Sequence, residues 1–191
     1  KAKSLQPLGG HSMLQRIYTT VKDISSETTF VVGYEKDAII AETESFDGTI
    51  HIAEQKKAIG TSDAVKSALP SITKSCNVLV LYGDVPLIKQ DTLEKLITET
   101  KDGLTILSTI IDSPYGYGRV IKDNEGYAQA IVEEKDASDS EKQIKEIFTG
   151  ILCCKKELLE EAINEVGNEN AAGEYYLTDI VSIISTKGYK I

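Results

Sequence analysis

The segment Asn77-Val78-Leu79-Val80-Leu81 is apolar at nearly every position, which suits a strand covered on both faces and disfavours one with a solvated side. A strand of that kind belongs inside a sheet with helices above and below it. The flanking sequence supplies them. Apolar spacing predicts helices over 12–21, 36–44 and 62–69, strands over 29–32 and 49–53, and a further helix over 90–98. Such alternation argues for βαβ units. The expected fold is α/β, a Rossmann-like, mainly parallel (mixed) sheet flanked by helices, with 77–81 at the sheet centre. Beyond residue 101 the rhythm changes: strands are predicted at 104–111, 119–122, 128–133 and 146–153 with little helix between them, then helices at 156–166 and 176–185. This second half reads as a strand-rich excursion that receives a substrate.

At 191 residues and 41% hydrophobic composition, the chain can bury one sizeable core, and no repeat, low-complexity tract or flexible linker divides it. A single domain over 1–191 is expected. With 21 basic against 30 acidic side chains, no basic stripe is available to follow a phosphate backbone, so nucleic acid is not an expected partner. No apolar stretch approaches the roughly 18 residues of a membrane span, and Lys1-Ala2-Lys3-Ser4-Leu5-Gln6-Pro7 lacks the apolar middle of a signal peptide. Cys76, Cys153 and Cys154 show no C-x-x-C spacing, and two of them are adjacent in the apolar run Gly150-Ile151-Leu152-Cys153-Cys154. Buried strand thiols in a reducing compartment are expected, with no membrane partner and a cytoplasmic location.

Open parallel sheets bind ligands beyond the carboxyl ends of their strands, and Asp84 stands just past such an end in Leu81-Tyr82-Gly83-Asp84-Val85-Pro86-Leu87. A carboxylate there can either hold a hard divalent cation or cap the following helix. Mg²⁺ takes one or two protein carboxylates and completes its shell with water and phosphate oxygens. Gly60-Thr61-Ser62-Asp63 opens a predicted helix, bringing backbone N–H groups and hydroxyls to one point, as an anion site or an ordinary capping turn would. Gln55 carries an amide that can both donate to and accept from a uracil edge, or lie on the surface. Ser113-Pro114-Tyr115-Gly116-Tyr117-Gly118-Arg119 offers glycine backbone and aromatic surface to a sugar, or a turn between strands. Glu133, in Ile131-Val132-Glu133-Glu134-Lys135-Asp136, can accept from sugar hydroxyls or belong to a solvated charge run. His11 and His51 have no partner at zinc-ligand spacing, and no G-x-G-x-x-G follows the first strand.

Lys3, Gln55, Gly60-Thr61, the 81–87 segment, Gly116-Tyr117-Gly118-Arg119, Ile131-Val132-Glu133-Glu134-Lys135-Asp136-Ala137 and Gly173-Glu174-Tyr175-Tyr176-Leu177-Thr178-Asp179 occur in one order. That order resembles the pyrophosphorylase domain of the bifunctional N-acetylglucosamine-1-phosphate uridylyltransferase and glucosamine-1-phosphate acetyltransferase, over essentially the whole chain. The resemblance implies a fold of the nucleotide-diphospho-sugar transferase type and transfer of UMP from UTP to a sugar-1-phosphate, N-acetylglucosamine-1-phosphate, with Mg²⁺ as cofactor. It implies that Lys3 contacts nucleotide phosphates and that Gln55, Gly60 and Thr61 hold the uracil and its ribose. Tyr82 and Gly83 line the nucleotide cleft and Asp84 binds the metal. On the sugar side it implies Gly118 and Glu133, with Tyr176 and Thr178 completing that wall. A homo-oligomer of the full-length protein is compatible with it.

The sequence departs from the family's pattern at several points. The family's glycine-rich Leu-Ala-Ala-Gly-x-Gly-Thr-Arg-Met loop belongs just before this sequence. A metal-sharing asparagine and the acetyltransferase domain belong beyond Ile191, so the single domain is expected to be incomplete at both ends. Phe148, in Phe148-Thr149-Gly150, stands where the family carries asparagine, replacing an amide that would bond a sugar hydroxyl with a ring. Ser62-Asp63 replaces Gly-His, and Ala2 replaces a proline. The alternatives are a nucleotidyltransferase of the same fold for another sugar or alcohol phosphate, or a catalytically silent nucleotide-binding domain.

Overall fold

The computed structural model describes residues 2–101 and 103–191. A pair of two-residue strands, β1 (Pro7–Leu8) and β2 (His11–Ser12), leads into helix α1 (Met13–Val21). The helix begins there because the Ser12 hydroxyl accepts from the Gln15 N–H at 3.0 Å, satisfying one of the unpaired donors of its first turn. Strand β3 (Thr28–Val32), helix α2 (Lys36–Thr43) and strand β4 (Ile50–Glu54) form a parallel β-α-β unit with five register pairs, Thr28–Ile50 through Val32–Glu54. Helix α3 (Thr61–Ala68) and a 3₁₀ turn (Leu69–Ser71) connect this unit to β5 (Asn77–Val80), which is followed by α4 (Gln90–Thr100).

The second half supplies β6 (Leu104–Ile110), β7 (Arg119–Lys122), β8 (Ala128–Val132) and the ten-residue β9 (Glu146–Lys155), then α5 (Lys156–Glu165) and α6 (Asp179–Thr186). All the predicted helices and strands are present, with boundaries moved by at most three residues. The sheet expected to be mainly parallel is divided: among the described strands β3 and β4 form a separate two-stranded parallel sheet, while in the five-stranded sheet β9 pairs antiparallel with β5, β6 and β7, and β7 antiparallel with β8.

The centre of the five-stranded sheet is β9, not the 77–81 segment that the sequence pattern puts there. Its length explains this. One edge of β9 is taken by β6 along almost the whole strand, and the other is shared, with β5 opposite 152–155 and β7 opposite Ile147. Apolar density marks both strands as buried, but it does not say which one is long enough to serve three neighbours.

Side chains of β9 alternate between two cores. Phe148, Leu152 and Cys154 join α5 and α6, through Leu158, Leu159, Ala162, Ile163, Ile180, Val181 and Ile184. Ile151 and Cys153 face α1 and α4, through Tyr18, Val21, Leu93 and Leu96. Each leucine or isoleucine fully buried there stabilises the fold by roughly 1.5–3 kcal/mol relative to exposure. The expected thiol burial holds for Cys153 and Cys154, both fully enclosed, and burial pushes the Cys154 thiol up to about 12. Cys76 lies just before β5 and is half-buried. No helix among the described residues is long and apolar enough to cross a membrane.

Candidate active site

Because β5 and β7 share one edge of β9, the carboxyl end of β5 and the start of β7 face each other across the stretch of β9 around Gly150. Gly150 has φ 82°, and a Cβ there would fall 2.6 Å from Cδ2 of Tyr82. The Tyr82 ring therefore lies directly over this glycine. Its hydroxyl interacts with the Thr61 side chain, and burial pushes the Tyr82 pKa up while Thr61 opposes the shift. This contact ties the loop after β5 to the first turn of α3. The gap between β5 and β7 is thus the point at which the loops bearing Tyr82-Gly83-Asp84 and Gly116-Tyr117-Gly118 converge.

On one side of the gap, Gln55 follows β4, and its Nε2 donates to Gly60 O at 2.9 Å and to Asp63 Oδ2 at 3.0 Å. Gly60 is pressed against the backbone of Tyr175, where an added Cβ would lie 2.2 Å from Tyr175 O. Three further bonds lock the two segments together: Tyr175 N to Ile59 O at 2.9 Å, Ser62 N to Tyr175 O at 2.9 Å, and Leu177 N to Thr61 Oγ1 at 2.9 Å. Beside them Val31, Val32, Gly33, Tyr34, Gln55 and Ala64 line a hollow of about 470 Å³, within the range of small-ligand sites.

In the middle, Lys3 Nζ donates to Asp84 Oδ2 at 2.6 Å, and this bond holds the lysine ammonium above its ordinary pKa. Gly83 lies against Ser4, next to Lys3. Asp84 does not cap α4, whose N-cap is Lys89. Among the described residues no group of three or more His, Cys, Asp or Glu could cage a metal. A single part-exposed carboxylate matches a hard cation that arrives with phosphate oxygens and water already around it, rather than a closed protein site.

On the other side, Glu133 Oε1 accepts from the buried Thr178 hydroxyl at 2.9 Å, and both its carboxylate oxygens lie 3.5 Å from where a Cβ on Gly118 would stand. Burial raises the Tyr176 hydroxyl pKa, and the Asp136 and Glu133 charges add to the shift. Burial likewise raises Asp179, with Glu133 and Asp136 contributing. Phe148 donates its backbone N–H to Gly118 O at 2.9 Å, while its ring, only 6% exposed, packs into the α5–α6 core.

Behind the glycine loop, the buried Arg119 guanidinium donates to Glu134 Oε2 at 2.6 Å and to Tyr117 O, and the Gly116 N–H reaches the same carboxylate oxygen at 3.2 Å. Arg119 holds the Glu134 carboxyl below its ordinary value of about 4.5. A depressed carboxyl contributes stability that is fully present above the unfolded pKa and is lost as the pH falls through the folded one. Thermal unfolding of Glu134→Gln beside the parent should therefore show a gap in melting temperature that is widest above the ordinary carboxylate range and closes as the pH falls below it. A gap that stays constant with pH would dismiss the ion pair as its source.

The eleven residues singled out in the sequence thus lie in three adjoining groups. Gln55, Gly60, Thr61 and Tyr82 form the first, Lys3, Gly83 and Asp84 the second, and Gly118, Glu133, Tyr176 and Thr178 the third. Sequence reasoning placed Asp63 only at a helix start and gave no individual role to Tyr175, Gly150 or the Arg119–Glu134 pair. Gly150 could have been found from its place inside a strand, where an isolated glycine signals a close approach. Tyr175 acts through its backbone, for which the sequence carries no signal.

Ligand-sized space at the carboxyl edge of a parallel β-α-β unit, beside an antiparallel five-stranded sheet, defines an α/β class whose ligands bind at strand ends. Solved structures share this fold. The chain superposes on UDP-glucose pyrophosphorylase complexed with UDP-glucose with a TM-score of 0.77 at 12% identity, covering 99% of this chain and 80% of that one. It superposes on a putative glucose-1-phosphate thymidylyltransferase from Bacillus anthracis with a TM-score of 0.75 at 19% identity, covering 97% and 75%. At these identities the likeness is one of fold. Residues 1–119 match the MobA-like NTP transferase domain, and the chain belongs to that nucleotidyltransferase family. The bifunctional protein GlmU of Francisella philomiragia is 45% identical over 184 residues, 96% of this chain and 40% of the relative. That of Acinetobacter baumannii is 40% identical over 190 residues, 99% and 41%. The chain spans about 40% of the length of these curated relatives.

Proposed function

We propose that this domain transfers UMP from UTP to N-acetylglucosamine-1-phosphate, giving UDP-N-acetylglucosamine and pyrophosphate. A sugar-phosphate oxygen attacks the α-phosphorus in line, the α–β bridging bond breaks, and pyrophosphate leaves with that electron pair. The observation that carries this reading is the Lys3–Asp84 pair on the loop after β5, whose Tyr82 interacts with Thr61 of α3 and with the Glu133 charge. One position is thereby open both to a nucleotide and to a sugar phosphate. Bound with the nucleotide phosphates, Mg²⁺ would supply charge neutralisation at the reacting phosphoryl group. Asp84 holds that cation, and Lys3 turns its ammonium to the phosphate oxygens. Gln55, Gly60 and Thr61 seat the base and ribose, with Tyr82 and Gly83 shaping the cleft floor. Gly118 leaves room for the sugar, and Glu133, oriented by Thr178 and flanked by Tyr176, accepts from its hydroxyls. Acceleration comes from alignment and charge, with no covalent work for a protein nucleophile.

Phe148 favours a second reading. A ring buried in the core offers no hydrogen bond to a sugar, so the same site would serve another sugar or alcohol phosphate. The deciding measurement is pyrophosphate release by the full-length protein from UTP and N-acetylglucosamine-1-phosphate, with and without Mg²⁺. Metal-dependent release with this sugar supports the first reading, and release with another sugar phosphate alone supports the second. No release with any of them would leave a silent nucleotide-binding domain.

A further inference from the structure

Gln55 emerges directly from β4, its backbone N–H held by Val32 O at 2.8 Å, so its side chain starts at the carboxyl edge of the parallel β3–β4 pair. Its Nε2 faces Gly60 O at 2.9 Å and Asp63 Oδ2 at 3.0 Å. Both partners can only accept, because a carbonyl and a carboxylate have no proton to give. The two electron-similar ends of the carboxamide are therefore assigned by chemistry: the nitrogen points at these oxygens and both of its N–H groups are committed. The remaining group is Oε1, which accepts nothing among the described residues. Gln55 lines the hollow of about 470 Å³ together with Tyr34, whose ring is 78% exposed and offers a face on which a base can stack.

We infer that Asp63 is a positioning residue that fixes the Gln55 carboxamide with its oxygen toward the hollow, so that the site selects bases presenting a ring N–H there, as uracil does, over bases presenting a ring lone pair, as cytosine does. The inference rests on the nucleotide reading above. Without Asp63, one bond to Gly60 O holds the nitrogen, and a flipped amide would turn its N–H groups to the hollow and accept cytosine instead. Asparagine at 63 lowers the cost of the flip, since its own NH₂ can donate to a flipped Gln55 Oε1, and leaves Gly60 O as the one group opposing it.

The test is calorimetric binding of UDP and CDP to the full-length protein and to its Asp63→Asn and Asp63→Ala variants, with thermal unfolding recorded alongside. The parent protein should bind UDP about tenfold or more tightly than CDP, and in both variants that ratio should shrink to within about threefold. A general loosening of the fold would weaken both ligands together and leave the ratio alone. Equal binding of UDP and CDP by the parent, or an unchanged ratio in folded variants, overturns the inference while the nucleotidyltransferase reading stands. Binding of neither nucleotide overturns both. A UDP preference that depends on Asp63, without pyrophosphate release from any sugar phosphate, supports the inference and overturns the transfer reaction.

Discussion

Replacing Gly60 by alanine should destabilise the domain by about 3 kcal/mol and lower its melting temperature by roughly 6–12 °C. Two costs add. At φ 138° the backbone lies where side chains with a Cβ are strained, and the new methyl would meet Tyr175 O at 2.2 Å, N at 2.5 Å and C at 2.7 Å. Backbone atoms cannot rotate out of the way as a side-chain tip can. Tyr175 is also held from both directions, by its N–H on Ile59 O and by the Ser62 N–H on its own carbonyl, so relief would require breaking those bonds. The neighbouring Thr61 and Leu177 would move with them, which should loosen nucleotide binding as well as the fold. Gly126 is the control, since it has φ 90° with nothing within 4 Å of an added Cβ, and alanine there carries the backbone cost alone, about 1 kcal/mol. Thermal unfolding of the two variants separates the terms. Equal losses at both positions would mean that Tyr175 yields and that the contact is not a lock.

What could be read from the sequence follows from which physical signals are local. Helix and strand positions are local, because the apolar period at 90–98 or 104–111 is written in consecutive residues, and those elements are present. Strand pairing is not. Asn77–Val80 and Glu146–Lys155 carry similar apolar runs, and only the pairing of β9 with three neighbours makes it the centre. The same divide holds at the site. Asp84 was legible because a strand-end carboxylate after a glycine is a local pattern. Its salt bridge to Lys3, 81 positions away in sequence, was not. Phe148 illustrates a subtler limit: a substitution that looks like a change of ligand contact in the sequence proves to turn its ring into the core, while its backbone N–H holds Gly118 in place. Asp63 reads as a helix-start residue, and only its approach to Gln55 gives it a second task.

Asp84→Asn should separate catalysis from folding. The parent carboxylate is hydrogen-bonded to Lys3 alone among the described residues, and both partners are solvent-accessible, at 75% for the lysine side chain and 39% for the aspartate. An ion pair so exposed contributes little to stability, so the melting temperature should move by no more than roughly 2 °C. Turnover is another matter. Asparagine keeps the shape but cannot supply the negative charge that a hard cation needs, and the loss falls on the step at which phosphate charge must be neutralised. The expected fall in kcat is about 10³-fold, similar to the loss of one strong electrostatic contact in other active sites. The activity that remains should need a higher Mg²⁺ concentration for half-maximal rate, because phosphate oxygens alone then hold the ion. Initial-rate assays of pyrophosphate release across a Mg²⁺ series, beside thermal unfolding of the same preparations, would read both quantities. Parent-like kcat and metal dependence in a folded variant would remove Asp84 from the metal site and leave it as the counter-ion of Lys3. A melting temperature that collapses with the activity would instead make the Lys3–Asp84 pair a structural clasp between the chain's start and the loop after β5.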